Sequence, residues 1–554
     1  MKKLVSLLMA LALVLTMACG ISFAEEKRVL TIGAQYIDNE TALQVSTVQK
    51  VFEEMGCEVQ FVLWDEDSYS AAIAGGDLTD IIVGHGPTSV VLDNNLALNM
   101  DPYIEQYAPN LNDGIGATYV SLSREFLSND GSLYIIPSGA GLNKVRPGTG
   151  MDNRGYVVYW DWYEELGCPE INNDDDYISV LQQMKANHPT TEDGKTVYLY
   201  GVQPGLSNMG GFAESWKIGQ NPWTNYQYKS DVITNYIYDG YLDVENSCYW
   251  AEMAFLNRIY QLGEFDMDCF TMTSDEWNAK KDSVQYCGLY KGDNNRGYCP
   301  VPSTGAFYYG NADLPLGDAP SMYLYINKNT KNVDLAMTYM NYLYDDEYLR
   351  NFYSGEQGET WDYDENGVPY LFESAIASKN SEAEEDVAYW EGRGRFGATT
   401  PLTQFTLAKD GYPIDLFKTR AVYLSTQSAL ELKICAYYGV EYWYDAFEGV
   451  CKDYRNDVGE AICSAMPSLS TADQRVIQEC EEILTAAMSD LIMSNSAEEF
   501  EAVKASVLEE IEETGEADVF VRYQAEWNAI RDKMVPLHNA TMEANGYTLY
   551  AYEE

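Results

Sequence analysis

Histidine and positive charge are scarce in this chain. Only three histidines occur, and 86 acidic residues outnumber 35 Lys and Arg residues, so the formal net charge is -51. His85, His188 and His538 are too few and too scattered to favour a histidine-based metal centre or a Ser/His/Asp catalytic arrangement. A strongly negative field repels nucleic-acid phosphates and anionic lipids, so we expect no nucleic-acid partner. The acidity itself is typical of a soluble protein outside the cell.

Long hydrophobic runs are also missing, except at the N-terminus. Two lysines precede an apolar run over residues 4–17, which is shorter than the ~20 residues that span a bilayer and is typical of a secretory signal. Two processing sites compete: cleavage after Ala24, which makes residues 1–24 the signal peptide, and a lipobox-like segment that would leave Cys19 lipidated. Both predict an exported protein, at the extracellular face of the membrane or in the periplasm. Its only membrane contact of its own would be a lipid on Cys19.

Cysteine pairs with zinc-type spacing are absent, although the chain has eleven cysteines. No CxxC occurs, which disfavours a structural zinc site. Export permits disulfides, and Cys287 with Cys299 could close a short loop, but the spacing leaves the pairing open.

Catalytic signatures are missing as well. The sequence has no Walker, GxSxG or HExxH motif, and paired carboxylates carry little information in so acidic a chain. We therefore predict no enzymatic activity, no cofactor and no metal site. One pattern does match the twelve-position calcium loop, at Asp362, Asp364, Asn366, Gly367 and Glu373, but the flanking helices that such a loop requires are not predicted.

The N-terminal part of the mature chain alternates strand and helix. Short apolar runs at Val29–Ala34, Val59–Trp64 and Asp80–Val83 predict strands, and helical spacing of apolar residues separates them. Gly56 is predicted to end the first of these helices. A βαβαβ order predicts a mainly parallel sheet, whose carboxyl strand ends form a crevice suited to a ligand.

Later segments are more helical. A strand over Met322–Ile326 precedes a helix capped by Asn332, and two amphipathic helices are predicted near the C-terminus. Ser496 and Glu499 predict a capping box at the start of the second of these, and Gly515 its end.

Six short motifs follow one another in a fixed order. They are AGGDLTDII at 74–82, MDPYI at 100–104, DGSLYIIP at 130–137, DWYEELG at 161–167, INKNTKN at 326–332 and GEQGETW at 355–361. In order and spacing they resemble segments of the family 1 extracellular solute-binding proteins, the carbohydrate-binding group that includes the maltose-binding type. The resemblance covers most of the mature chain. One departure is Tyr159, which stands where many relatives carry Arg and disfavours a carboxylate-bearing ligand.

The resemblance implies an α/β, two-lobe periplasmic-binding-protein type II fold, with a ligand cleft between the lobes and a helical C-terminal region. Lobe 1 would comprise residues 28–137 and 320–360, and lobe 2 residues 140–318 and 366–554. The implied function is to capture a carbohydrate outside the cell and deliver it to the permease subunits of an ABC transporter, as a monomer. A binder of peptides or other small solutes in the same fold, and an extracellular carbohydrate-active enzyme, remain alternatives. Within the resemblance, residues 364–367 form a turn between strands.

Aromatic residues are abundant, with 45 Tyr, 17 Phe and 11 Trp, and a flat ring can cover the apolar face of a sugar. Position at predicted strand ends or in loops singles out eight candidate ligand-binding residues. They are Tyr36, Trp64, Asp65, His85, Tyr159, Trp216, Trp223 and Trp361.

Overall fold

Two β-sheets and a helical C-terminal region organise the chain. The computed structural model describes residues 27–34, 45–85, 88–138, 155–202, 245, 249–304, 307–309, 322–397, 406–447, 450, 452–454, 465–467 and 469–544. The strands in these ranges are β1 Val29–Ala34, β2 Glu58–Leu63, β3 Ile81–His85, β4 Ile135–Pro137, β5 Val157–Tyr159, β6 Tyr198–Gly201, β7 Tyr286–Leu289, β8 Tyr298–Pro300, β9 Phe307–Tyr309, β10 Met322–Ile326, β11 Trp361–Tyr363, β12 Pro369–Leu371 and β13 Lys452–Tyr454.

The helices alternate with these strands in the first part of the chain and dominate its end. They are α1 Ser46–Glu54, α2 Glu66–Gly75, α3 Thr88–Asp93, α4 Asp101–Tyr107, α5 Gly114–Phe126, α6 Trp160–Glu165, α7 Asp174–Asn187, α8 Tyr249–Gln261, α9 Ser274–Asp282, α10 Val333–Tyr342, α11 Asp346–Ser354, α12 Glu373–Lys379, α13 Glu384–Gly397, α14 Arg420–Ser425, α15 Ala429–Tyr438, α16 Thr471–Ile492, α17 Ala497–Thr514 and α18 Glu516–Ala544. No helix in the described ranges combines the length and apolarity that a membrane crossing requires.

The five-stranded sheet has the order β2-β1-β3-β10-β4. β1 runs parallel to β2 and β3, as the alternating pattern predicted. β10 enters between β3 and β4 and is antiparallel to both, so a segment from late in the chain completes a sheet that begins near its start. Smaller pairings join β11 to β12 and β9 to β13.

The two faces of this sheet bury separate sets of apolar side chains. On one face, α1, α4, α5, α10 and α11 contribute to a cluster that we call the first-face core, with Leu30, Ile32, Leu324 and Ile326 from the strands. On the other face lies the second-face cluster, which includes Trp64, Tyr69, Tyr323, Tyr325, Trp527 and Met534. The alternation of side chains along β10 explains the split, because Leu324 and Tyr325 point to opposite faces.

The four-stranded sheet has the order β6-β7-β5-β8. β6 and β7 are parallel, and β5 is antiparallel to both of its neighbours, β7 and β8. Its core also takes up side chains from α8, α15, α16 and α17, so much of the helical C-terminal region packs here. Cys480, Leu491 and Ile511 are among the buried residues.

The predicted helix ends agree with the structure in most details. Gly56, two residues beyond the end of α1, and Gly515, directly after α17, adopt left-handed φ values of 66° and 84°. Ser496 accepts from the amide of Glu499, but Glu499 accepts from the amide of Asn495, so only half of the predicted capping box forms. α10 starts after Asn332, whose side chain makes no cap hydrogen bond and donates to the Val29 carbonyl instead.

Cys287 and Cys299 do not pair. β5 lies between their strands, since Val158 pairs with Gly288 on one side and with Cys299 on the other. Two strand spacings separate them by about 10 Å, beyond the ~7 Å limit between Cα atoms of a disulfide. Both thiols are free and buried.

Candidate ligand-binding edge

One edge of the five-stranded sheet collects the carboxyl ends of its parallel strands. β1, β2, β3 and β4 end there at Ala34, Leu63, His85 and Pro137, and β10 begins there at Met322. In open α/β sheets, ligands bind in the crevice outside such strand ends. We call these residues, with Trp64 and Asp65 that follow β2, the binding edge.

Trp64 is held at the binding edge by its backbone and its ring. Its amide donates to the Ala34 carbonyl at 3.0 Å. The indole covers Gly33 on the neighbouring strand and lies 5.5 Å from the Tyr69 ring, centroid to centroid. The residue is 7% exposed, so it presents a rim rather than a face, while the adjacent Leu63 is 54% exposed.

Asp65 begins α2 at the same edge. Its Oδ1 accepts from the Ser68 amide at 2.7 Å, and the Ser68 hydroxyl accepts from the Asp65 amide, which completes a capping box. Hydrogen bonds from the Ser68 hydroxyl and amide hold the pKa of Asp65 below its usual range. The exposed carboxylate is therefore charged at neutral pH and can accept hydrogen bonds from hydroxyl groups.

His85 is the last residue of β3, and its backbone is in register with Met322. The preceding residue, Gly84, is covered by the Tyr323 ring, because a Cβ at position 84 would lie 2.4 Å from it. Trp64 and His85 thus lie at carboxyl strand ends, as predicted, on either side of β1.

Tyr159 lies at the edge of the four-stranded sheet opposite the carboxyl ends of β6 and β7. β5 is antiparallel to β7, so Val157 is in register with Leu289 at the carboxyl end of β7. Tyr159, at the other end of β5, is in register with Tyr298. The register therefore does not support a ligand contact by Tyr159.

An aromatic group that the sequence analysis missed surrounds Tyr159. Trp162 meets its ring edge-on at 5.1 Å and stacks on His188 at 4.5 Å with an angle of 4°. His188 Nε2 lies 2.7 Å from the Glu165 carboxylate. Burial, followed by the nearby Asp161 charge, raises the pKa of Tyr159. Helical spacing brings Trp162 and Glu165 together on one side of α6, and this was the signal available in the sequence.

Trp361 has a structural environment. It is 1% exposed, and its indole N–H donates to the Gly355 carbonyl at 2.8 Å and to Asn351 Oδ1 at 3.1 Å. The Arg350 guanidinium lies 5.5 Å from the ring centroid. In this conformation the ring has almost no surface to offer a ligand.

A buried polar network beside α1 was also missed. The Glu356 carboxylate, on a residue 5% exposed, accepts from the hydroxyls of Ser46 and Thr47 at 2.7 and 2.6 Å and from Lys50 Nζ at 2.7 Å. Arg393, 3% exposed, donates to both hydroxyls. Burial works against ionisation of Glu356, but the hydrogen bonds from Lys50, Thr47 and Ser46 prevail and lower its pKa. The network fixes the start of α1, the helix that follows β1.

The calcium-type spacing falls on a β-hairpin. β11 and β12 pair antiparallel, and the turn between them confirms the turn that the resemblance implied for residues 364–367. Asp364 Oδ1 accepts from the amides of Asn366 and Val368, both at 2.8 Å. Among the described residues, no three His, Cys, Asp or Glu side chains cluster in a way that could hold a metal ion.

Four predicted functional residues lie outside the described ranges. They are Cys19, Tyr36, Trp216 and Trp223. The binding edge thus unites Trp64, Asp65 and the backbone of His85, whereas Tyr159 and Trp361 lie elsewhere.

Comparison with known proteins identifies the fold. No model of a known protein family matches the chain, and no protein of curated function matches it. Solved structures do match. A solute-binding protein from Bifidobacterium longum infantis, described as HMO binding and ABC-transporter associated, is 14% identical with a TM-score of 0.55, over 91% of this chain and 99% of that one.

Two further structures agree with this. The S. pneumoniae ABC-transporter substrate binding protein FusA in complex with kestose is 14% identical, with a TM-score of 0.54 and the same coverage. An extracellular solute-binding protein from Bifidobacterium longum subsp. infantis is 13% identical, with a TM-score of 0.58 over 92% of this chain and 99% of that one. The predicted two-lobe binding-protein fold is confirmed, since the match spans nearly the whole of each chain.

Proposed function

We propose that the chain is the extracellular substrate-binding component of an ABC transporter and that it captures a carbohydrate, an oligosaccharide rather than a single sugar. The observation that carries the proposal is a shared fold over 91% of the chain with proteins whose names state HMO or kestose as their ligand. Those structures are of binding proteins, which favours capture without turnover.

The binding edge supplies chemistry that suits a neutral sugar. Leu63 and the rim of Trp64 form an apolar strip, and the Asp65 carboxylate beside them accepts hydrogen bonds. Sugars present apolar C–H faces next to hydroxyl donors, so an aromatic or aliphatic surface with an adjacent acceptor complements them. Tyr36, Trp216 and Trp223 are proposed to add further aromatic contacts.

The proposed lobes follow the two sheets. Lobe 1 holds residues 28–137 and 320–360, and lobe 2 holds residues 140–318 and 366–554, with two modifications. Ala408 and Ile414 pack in the first-face core, so we assign the described residues 406–418 to lobe 1. Arg393 of α13 donates to Ser46 and Thr47 beside α1, so we assign α13 to lobe 1 as well.

Partners and location complete the proposal. The loaded protein passes its ligand to permease subunits, because a binding protein alone cannot move a solute across a membrane. We propose that it acts as an exported monomer, either released after Ala24 or anchored through a lipid on Cys19. Replacing Cys19 with Ser and fractionating cells distinguishes the two: loss of membrane retention supports the anchor, and unchanged retention excludes it.

The experiment that tests the ligand class is a thermal-shift screen of the mature protein. Neutral oligosaccharides, acidic sugars and short peptides are compared at equal concentration. A ligand present at ~100 times its Kd adds ~2.7 kcal/mol of stability, which is readily seen as a rise in Tm. We expect a rise with one class of neutral oligosaccharide.

A matched pair of variants ties the signal to the binding edge. Trp64→Phe should weaken the response, whereas Trp277→Phe should leave it unchanged. Trp64 and Trp277 are 7% and 6% exposed, but Trp277 contacts Tyr286 at the other end of β7, away from the carboxyl strand ends. A rise with peptides alone would keep the fold and overturn the carbohydrate assignment.

A further inference from the structure

The helix α18 contacts both sheets of the protein. Val519 and Tyr523, near its start, belong to the core of the four-stranded sheet. Trp527 and Met534, further along, belong to the second-face cluster of the five-stranded sheet. The helix is 29 residues long, which corresponds to about 43 Å at 1.5 Å per residue. One continuous helix therefore bridges two hydrophobic cores.

The first part of α18 is fixed to its neighbours. Arg522 forms an ion pair with Asp473 in the first turn of α16. Val519 is 3% exposed within the same core. Ion pairing and burial together orient this end of the helix with respect to α16.

The later part rests on the five-stranded sheet through one apolar stripe. Trp527 and Met534 are fully buried, and Ile530 and Leu537 pack against the same cluster. The spacing of three and four residues places all four side chains on one side of the helix. Apolar contacts of this kind are non-directional, so burial and shape alone hold this stripe on its sheet.

A rotation between the two cores has to be accommodated along α18. Only one helical turn separates Tyr523 from Trp527, and helices bend gently rather than fold sharply unless a specific feature kinks them. The rotation must therefore move the Trp527 stripe across the second-face cluster or peel it away.

We infer that α18 is a strap between the lobes, and that the seating of the Trp527 stripe restrains their relative orientation. The inference rests on the proposed function, because a binding protein with two lobes holds its ligand by closing about a hinge between them. Two arrangements of the lobes then differ in how fully the side chains of this stripe are buried in the second-face cluster. The restraint acts in the absence of ligand, because the contacts that form it all lie within the protein.

The strap also shares a cluster with the binding edge. Trp64 lies 5.5 Å from Tyr69, and the Tyr69 hydroxyl is 3.4 Å from that of Tyr325. Trp527 is a member of the same second-face cluster. A displacement of the strap therefore alters the packing against which Trp64 is held.

Single-molecule Förster resonance energy transfer between dyes on the two lobes tests whether α18 restrains their relative orientation. Dyes are attached through bio-orthogonal residues at the exposed positions Glu105 and Asp275, so that native thiols stay unlabelled. The measurement is made on the mature protein without ligand. We expect Trp527→Ala and Met534→Ala to broaden the distribution of interlobe distances relative to the wild type. Val521→Ala, at a position on the same helix that is 65% exposed, should leave the distribution unchanged.

The strap is overturned if both variants show a distribution of interlobe distances with the wild-type mean and width, even where Tm falls. That outcome would mean that the stripe contributes to packing alone. If Trp527→Ala does not fold, Met534→Ala and the milder Trp527→Phe decide the matter. Because no ligand is used, a negative result here is separate from a failure of the carbohydrate proposal.

Discussion

The indole of Trp64 lies directly over Gly33 of the adjacent strand, so that a Cβ added at residue 33 would fall 2.3 Å from the ring. Atoms cannot approach so closely, and the ring and the glycine therefore depend on each other. The absence of a side chain at position 33 allows Trp64 to fold back over β1 at the end of β2.

Gly33→Ala should displace Trp64 and destabilise the protein by about 1–3 kcal/mol, the usual cost of overpacking a core. Chemical denaturation measures the change. Gly75→Ala is the control, since a Cβ there has open space. Alanine is also more favourable than glycine within a helix, so this variant should not lose stability. Equal stability of Gly33→Ala and the wild type would show that Trp64 is not held as described.

Neutralising Glu356 should be costly. Glu356→Gln removes a buried charge that Lys50 and two hydroxyls contact and leaves Arg393 buried beside it, so we expect a loss of about 3 kcal/mol. Glu359→Gln, at an exposed position in the same loop, should change stability little. The pKa of Glu356 is lowered on folding, so its contribution is present above the unfolded pKa and is lost as pH falls through the folded value.

Acid unfolding checks this linkage. The wild type should lose more stability than Glu356→Gln as pH falls below about 4.3, the ordinary pKa of Glu. Parallel stability curves for the two proteins over that range would contradict the assigned network.

The contribution of Asp415 to folding stability should depend on pH in the opposite direction. Burial raises its pKa to about 6, although Lys418 partly opposes the shift. The folded state then binds a proton that the unfolded state releases, so this carboxyl favours folding more as pH falls from above 6 towards 4. Asp415→Asn should remove that dependence and stabilise the protein at neutral pH by about 1–3 kcal/mol.

Asp410→Asn provides a control of opposite sign. Arg350 pairs with Asp410 through two hydrogen bonds, and these bonds outweigh burial to lower the pKa of Asp410. Its neutralisation should therefore destabilise the protein at neutral pH. If both variants changed stability in the same direction at neutral pH, the assigned environments would be wrong.

Local patterns in the sequence predict the strands well but not their partners. The strand at Met322–Ile326 has its predicted bounds, yet its insertion between β3 and β4 depends on contacts with residues about 240 and 190 positions earlier in the chain. The antiparallel direction of β5 is likewise invisible locally. It explains why Tyr159 lies away from the carboxyl strand ends and why Cys287 and Cys299 are kept apart.

Long-range polar contacts were also beyond prediction. Glu356 and Arg393 meet Ser46 and Thr47 across roughly 300 residues or more, and no spacing rule connects such positions. The helix α18 has a clear helical sequence, but periodicity does not reveal that its two ends pack on different sheets. The motifs and strand ends were sufficient for the fold and for the location of Trp64.

The most direct test of the account is calorimetric titration of the mature protein with neutral oligosaccharides, followed by chromatography of the recovered sugar. The account predicts saturable binding of one sugar per protein molecule, weakened in Trp64→Phe, with the sugar recovered intact. Conversion of the sugar to a product, or the absence of binding to any carbohydrate while peptides bind, would contradict it.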